Sequence, residues 1–229
     1  MLYMPFDMLY LVLVLPTLIF SLWAQNRVTT SFKKYSKQRT VNAITGEEAA
    51  RMILRQAGVS GVKIESIKGN LTDHFDPRTN VIRLSENVYN APSIAAVGVA
   101  AHEAGHAIQY ASGYAPMKFR SAIIPITNIG SKLSMPLILI GVVFSMTGLI
   151  NIGIWLFAAV VLFQLITLPV EFNASNRAVA ALDGSGFVSK EEINASKKVL
   201  SAAALTYVGA MAVSLAQLIR LIIIAGRRR

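Results

Sequence analysis

The stretch LSMPLILIGVVFSMTGLINIGIWLFAAVVLFQLITLPV, residues 133–170, contains no charged side chain. As a single helix it would run to about 57 Å, far beyond a hydrocarbon core of about 30 Å. The segment must therefore turn, and Gly148-Leu149-Ile150-Asn151-Ile152-Gly153 offers turn residues near its middle, so two spans joined by a tight hairpin are expected. Upstream, Met8 to Ala24 is a further uncharged run long enough for one span. It reads as an anchor rather than a cleaved signal, because it lacks a basic start, follows Asp7 and offers no small-x-small cleavage site. Downstream, Ala202 to Ile219 is a weaker fourth candidate, interrupted by Thr206, Gly209, Ser214 and Gln217. With 54% hydrophobic and only 15% charged residues in a chain of 229, the composition lies outside the soluble range. A mainly α membrane protein with three or four transmembrane helices is expected.

Charge orients it. After the first span come Arg27, Lys33, Lys34, Lys37 and Arg39, with no acid until Glu47. The positive-inside rule puts this run and the soluble segment behind it in the cytoplasm of a protein integral to the cell membrane. The hairpin then leaves and returns, bringing Glu171 back to the same side. A fourth span would place Arg227-Arg228-Arg229 outside, against the rule, so the last segment either crosses or lies along the interface, with Arg220 snorkelling. The net charge of +10 calls for a lipid bilayer with anionic headgroups as partner, and for no nucleic acid. There is no cysteine, so disulfides and thiolate ligands are excluded and any metal must be held by His, Asp or Glu.

The organisation expected is an N-terminal anchor over residues 1–24, a cytoplasmic segment over 25–120 and a transmembrane helical hairpin over 121–170. A cytoplasmic helix over 171–200 and a C-terminal transmembrane or interfacial helix over 201–229 complete it. In the first cytoplasmic segment Thr45-Gly46-Glu47-Glu48 has the form of a capping box, opening a helix that Gly58 can close. Val62 to Ile67 reads as a strand. Leu71–Phe75 and Val81–Ser85 flank Asp76-Pro77-Arg78-Thr79-Asn80, a hairpin loop with proline at its first turn position. Pro92 and Ser93 precede a helix to Ala111, ended near Gly113. Its small residues, among them Gly98, Ala101, Ala104 and Gly105, allow close approach by other helices.

This helix carries the chemistry. His102-Glu103-Ala104-Gly105-His106 is an H-E-x-x-H motif, and the chain has only one other histidine, His74. Positions i and i+4 share a helix face, so both imidazoles can reach one ion while Glu103 stands beside it. Zinc takes nitrogen ligands at about 2.0–2.1 Å and keeps a free position for water, whose proton the glutamate can accept. A third ligand is needed. Glu171, in Glu171-Phe172-Asn173-Ala174-Ser175-Asn176-Arg177-Ala178, shares a helix face with Ala174, Ser175 and Ala178, and His2Glu sets are common in catalytic zinc sites. Asp73, Asp76 and His74 compete for the same place.

HEAGH and EFNASNRA separated by a hydrophobic hairpin resemble the YugP-like family of membrane neutral zinc metallopeptidases, over most of the chain. A more distant likeness is to HtpX-type membrane proteases and the CAAX prenyl protease family. The resemblance implies a gluzincin peptidase, a zincin-like cytoplasmic H-E-x-x-H helix with His102, His106 and Glu171 as zinc ligands and Glu103 as general base. In the HtpX-like pattern an aspartate follows the ligand glutamate by four residues. Here that position is Ser175, so a carboxylate to orient a ligand imidazole is missing and another group must do that work.

The reaction expected is hydrolysis of a peptide bond in a peptide or protein substrate, including membrane or misfolded proteins. The tetrahedral oxyanion needs a donor besides the metal, and Arg177, His74, Tyr110 and Tyr114 are candidates. Leu71 to Phe75 is the expected sheet edge for an extended peptide; the alternative is a hairpin that merely covers the helix. Two other functions compete. A site-2-type intramembrane protease would place the motif within a span and draw an Asp from a later one, and Tyr110, Lys118 and Arg120 beside the zinc helix argue against it. A non-catalytic zinc-binding membrane scaffold would have no use for Glu103 as proton acceptor.

Overall fold

The computed structural model describes residues 7–226; Arg227-Arg228-Arg229 therefore lies outside the described residues. The first helix, α1, runs Tyr10–Tyr35, with a π-helical opening at Tyr10–Val14. There follow α2 (Gly46–Gln56), β1 (Lys63–Ile67), β2 (His74–Asp76), β3 (Val81–Ser85), α3 (Glu86–Tyr89) and α4 (Ile94–Ala111). Three long helices complete the chain: α5 (Ala115–Val143), α6 (Thr147–Ser185) and α7 (Lys190–Gly226). Four helices, α1, α5, α6 and α7, are long and apolar enough to cross a membrane. The mainly helical membrane fold expected from the composition is the one observed.

The chain divides into two compact units. One comprises Met1–Ala24, Phe119–Leu168 and Leu205–Arg229. It turns outward a broad apolar surface that includes Ile126, Ile129, Val143, Trp155, Leu162 and Ile222, the property that hydrocarbon solvent demands. The hairpin is present, but its turn is not where the glycines pointed. α5 ends on a Schellman motif: Ser145 takes a left-handed φ of 55°, Met146 N–H donates to Gly141 O at 2.8 Å and Ser145 N–H reaches Val142 O at 3.4 Å. Gly148 and Gly153 sit inside α6 instead. A Cβ on Gly153 would come within 2.8 Å of Ser134 O, so this glycine serves helix contact, not turning. α7 lies antiparallel along α1. Arg220 Nε is 3.0 Å from Asp7 Oδ1, and a Cβ on Gly209 would meet Ser21 Cα at 3.0 Å. α7 is long and apolar enough to cross a membrane.

The other unit comprises Gln25–Lys118 and Pro169–Ala204. α2 opens with the capping box expected from Thr45 and Glu48 and is followed by Gly58 at φ 67°. Its buried Ala49, Ala50, Ile53 and Leu54 pack in one core with Val97, Ala100, Ala101 and Ala104 of α4, Ile82 and Leu84 of β3, and Ala178 and Leu182 of α6. The sheet is larger than a hairpin. β3 pairs antiparallel with β2 and parallel with β1, in the order β1-β3-β2. The parallel partner comes from before the hairpin, a non-local choice that no turn signal records. β2 is also shorter than the expected Leu71–Phe75 edge: Leu71 has a φ of 55°, which breaks extended backbone, and pairing begins only at His74. α4 begins after Ser93, where a helix is expected, and the Ser93 hydroxyl caps it by accepting from Ala96 N–H. α7 opens with a second capping box, Glu192 N–H to Ser189 Oγ and Ser189 N–H to Glu192 Oε2, while the buried Glu192 also takes the Val41 N–H at 2.7 Å.

Candidate metal centre

α4 brings His102 and His106 to one face, their ring centroids 4.6 Å apart and nearly perpendicular. α6 supplies Glu171 directly after Pro169 and Val170. The two helices approach closely because Gly105, between the histidines in the motif, lies against the Ala174 carbonyl. Both imidazoles turn Nε2 towards the same carboxylate oxygen: Glu171 Oε2 is 3.2 Å from His102 Nε2 and 3.5 Å from His106 Nε2. The three donor atoms lie within 4.8 Å of one another, and His106 and Glu171 are buried. Ligands at about 2.0–2.1 Å around a tetrahedral ion stand about 3.3 Å from each other. The donor set and its spacing therefore fit a zinc ion.

The far nitrogens are engaged as zinc ligation requires. His102 Nδ1 is 3.1 Å from Ser175 Oγ, and His106 Nδ1 is 3.0 Å from Gln109 Oε1. Ser175 thus does contact the His102 imidazole although it is no carboxylate, at the position where the distant likeness leads one to expect aspartate. Glu103, buried in α4, has its carboxyl pushed up to about 7, chiefly by burial and further by the charges of Glu171 and Asp73, against the pull of His102 and a hydrogen bond from the Phe75 amide. A divalent cation among the three donors would draw it down again.

The remaining candidates fall elsewhere. Asp73 accepts from Ser85 N–H at 2.7 Å and from the Ser85 hydroxyl, and burial pushes its carboxyl up. Asp76 closes the β2–β3 turn through Arg78 N–H, Thr79 Oγ1 and Arg83 Nη1. His74 is exposed, its Nδ1 2.8 Å from the Thr72 carbonyl, to which it donates. None of the three joins the His102–His106–Glu171 group. Arg177 donates to Asn173 Oδ1 at 2.8 Å and lies 5.9 Å over the Tyr114 ring. Tyr110 is partly exposed, 6.0 Å from the Phe75 ring. The sequence alone did not single out Gln109 and Asn173. Gln109 is an amide seven residues after His102 and three after His106, on the helix face that carries both imidazoles, which was its one visible signal.

A largely buried His2Glu cluster, split between an H-E-x-x-H helix and a later one in a chain with four membrane-length helices, has the donor pattern of membrane-bound zinc metallopeptidases. The chain belongs to the family described as "Putative neutral zinc metallopeptidase", whose model matches residues 10–226. It is 48% identical over 217 residues to "Putative membrane protease YugP" of Bacillus subtilis (strain 168), covering 95% of this chain and 96% of that protein. No solved structure matches.

Proposed function

We propose that the protein is a membrane-embedded zinc endopeptidase in which His102, His106 and Glu171 hold the metal and Glu103 is the general base. The observation that carries this is the convergence of two Nε2 atoms on one buried Glu171 oxygen, with Glu103 on the same helix. Zinc bound there would acidify water and polarise a peptide carbonyl. Glu103 takes the proton of the attacking water on its carboxylate and delivers it to the leaving amine nitrogen. Burial raises its proton affinity and zinc at the three donors would lower it; a group held between the two can serve as base and then as acid.

β2 supports an extended substrate: it is an edge strand that pairs with β3 alone among the described strands, which leaves its other edge to a peptide added as a strand. α4 is not among the four helices both long and apolar enough to cross a membrane, which favours hydrolysis outside the hydrocarbon over the site-2 arrangement. Arg27, Lys33, Lys34, Lys37 and Arg39 favour the cytoplasmic side for the site.

The test is wild type and Glu103→Gln purified side by side in detergent, with zinc content and casein hydrolysis measured on both. Stoichiometric zinc in both and hydrolysis only in wild type is the expected result. Equal turnover in the two removes Glu103 from the base role. Glu171→Gln should lose zinc while still inserting; full occupancy would move the third ligand elsewhere.

A further inference from the structure

We propose that Gln109 is a positioning residue that fixes the tautomer of His106, through a chain of hydrogen bonds whose direction is set by Arg177. This rests on the metal site proposed above and extends it to residues that do not touch the ion.

The direction follows from what each group can do. A guanidinium only donates. Arg177 Nε lies 2.8 Å from Asn173 Oδ1, so the Asn173 amide must present its oxygen there. Gln109 Nε2 reaches that same oxygen at 2.9 Å and the Val170 carbonyl at 2.8 Å. Both are acceptors, so the Gln109 amide nitrogen must face them and its oxygen must face the other way. That oxygen is 3.0 Å from His106 Nδ1 and only accepts. His106 Nδ1 must therefore carry hydrogen, and in the neutral imidazole Nε2, 3.5 Å from Glu171 Oε2, keeps the lone pair that a metal takes.

Gln109 is fully buried, so water cannot substitute for any of these partners. Inverting the amide would set Oε1 against two oxygens, two losses at once. Ser175 is different. Its hydroxyl, 3.1 Å from His102 Nδ1, can rotate to donate or to accept, so it constrains His102 without choosing its tautomer. Of the two ligand imidazoles, His106 is the one prepared in advance.

The test uses the full chain in detergent with two readouts. The first is the nitrogen-15 spectrum of metal-free protein labelled at its three histidines, with His106 assigned by its loss in His106→Asn. The second is the zinc Kd by competition with a chromophoric chelator. Wild type should show His106 protonated at Nδ1. Gln109→Leu should move it towards the Nε2-protonated form and weaken zinc by about 10–100-fold, while Ser175→Ala weakens it less. A metal-free wild type with His106 protonated at Nε2 overturns the proposal, whether or not the variant folds. Wild-type Kd in Gln109→Leu overturns it equally. A wild type with Nδ1–H at His106 that binds no zinc instead sinks the metal site itself.

Discussion

At the scale of single residues, the site depends on an atom that is missing. A Cβ added to Gly105 would stand 2.6 Å from the Ala174 carbonyl oxygen and 3.3 Å from its carbon. Both are backbone atoms of α6 and cannot rotate aside, so the helices must separate. Metal sites tolerate ligand distances within about 0.2 Å, and the imidazoles approach Glu171 across this contact. Gly105→Ala should cost about 1–3 kcal/mol of stability by overpacking and lose zinc affinity with it. Gly148 has nothing within 4 Å of a built Cβ, so Gly148→Ala should be neutral or gain up to about 1 kcal/mol. Melting temperature and zinc titration of both variants check this. Normal zinc binding by Gly105→Ala would mean that the two helices do not need this contact.

At the scale of elements, local signals were legible and non-local ones were not. The Thr45–Glu48 box, the Ser93 cap and the 76–80 turn are each written within a few residues, and each is formed. The parallel β1–β3 pairing is not, since it joins Lys63 to Val81 without a turn between neighbours. Gly153 misled because glycine marks both turns and close helix contacts, and only packing separates the two; Gly148, with nothing within 4 Å of a built Cβ, serves neither. Glu171 could be read as a ligand from its place after the hairpin, whereas Gln109 and Asn173 acquire meaning only when α4 and α6 meet. The 76–80 turn carries its own prediction. The Asp76 carboxyl is held down to about 2, first by the Thr79 hydroxyl, with the Arg78 amide and Arg83 helping against the opposing push of burial. Its folded pKa thus lies below the unfolded value of about 3.9. The stabilisation is complete above that value and is lost as pH falls through about 2. Asp76→Asn should loosen the turn by about 1 kcal/mol, screening taken into account. Hydrogen exchange at Val81–Ser85 should then be faster at pH 6, with a flatter pH dependence below pH 4. Unchanged protection would show that the sheet does not rely on this carboxylate.

At the scale of the whole molecule, the first and last membrane-length helices are joined by a charge pair. Arg220, 1% exposed, reaches Asp7 Oδ1 through Nε at 3.0 Å and Oδ2 through Nη2 at 3.2 Å, and its guanidinium carbon lies 5.5 Å from the Tyr10 ring. The two-point grip fixes orientation as well as contact. Together with Gly209 against Ser21, it sets α7 antiparallel to α1 from end to end. The two partners are unequal: Asp7 is 28% exposed, whereas the guanidinium is buried. Taking one member from a buried pair costs about 3–5 kcal/mol, whereas replacing both with apolar groups is often near neutral. Asp7→Ala should therefore destabilise more than Arg220→Met. Asp7→Leu combined with Arg220→Met should recover much of the loss, and the exchange Asp7→Arg with Arg220→Asp should recover part of it. Thermal unfolding in detergent, followed by monodispersity on size exclusion, measures all four. If Asp7→Ala melts with the wild type, the pair is incidental and the registry of α7 on α1 comes from small-residue packing alone.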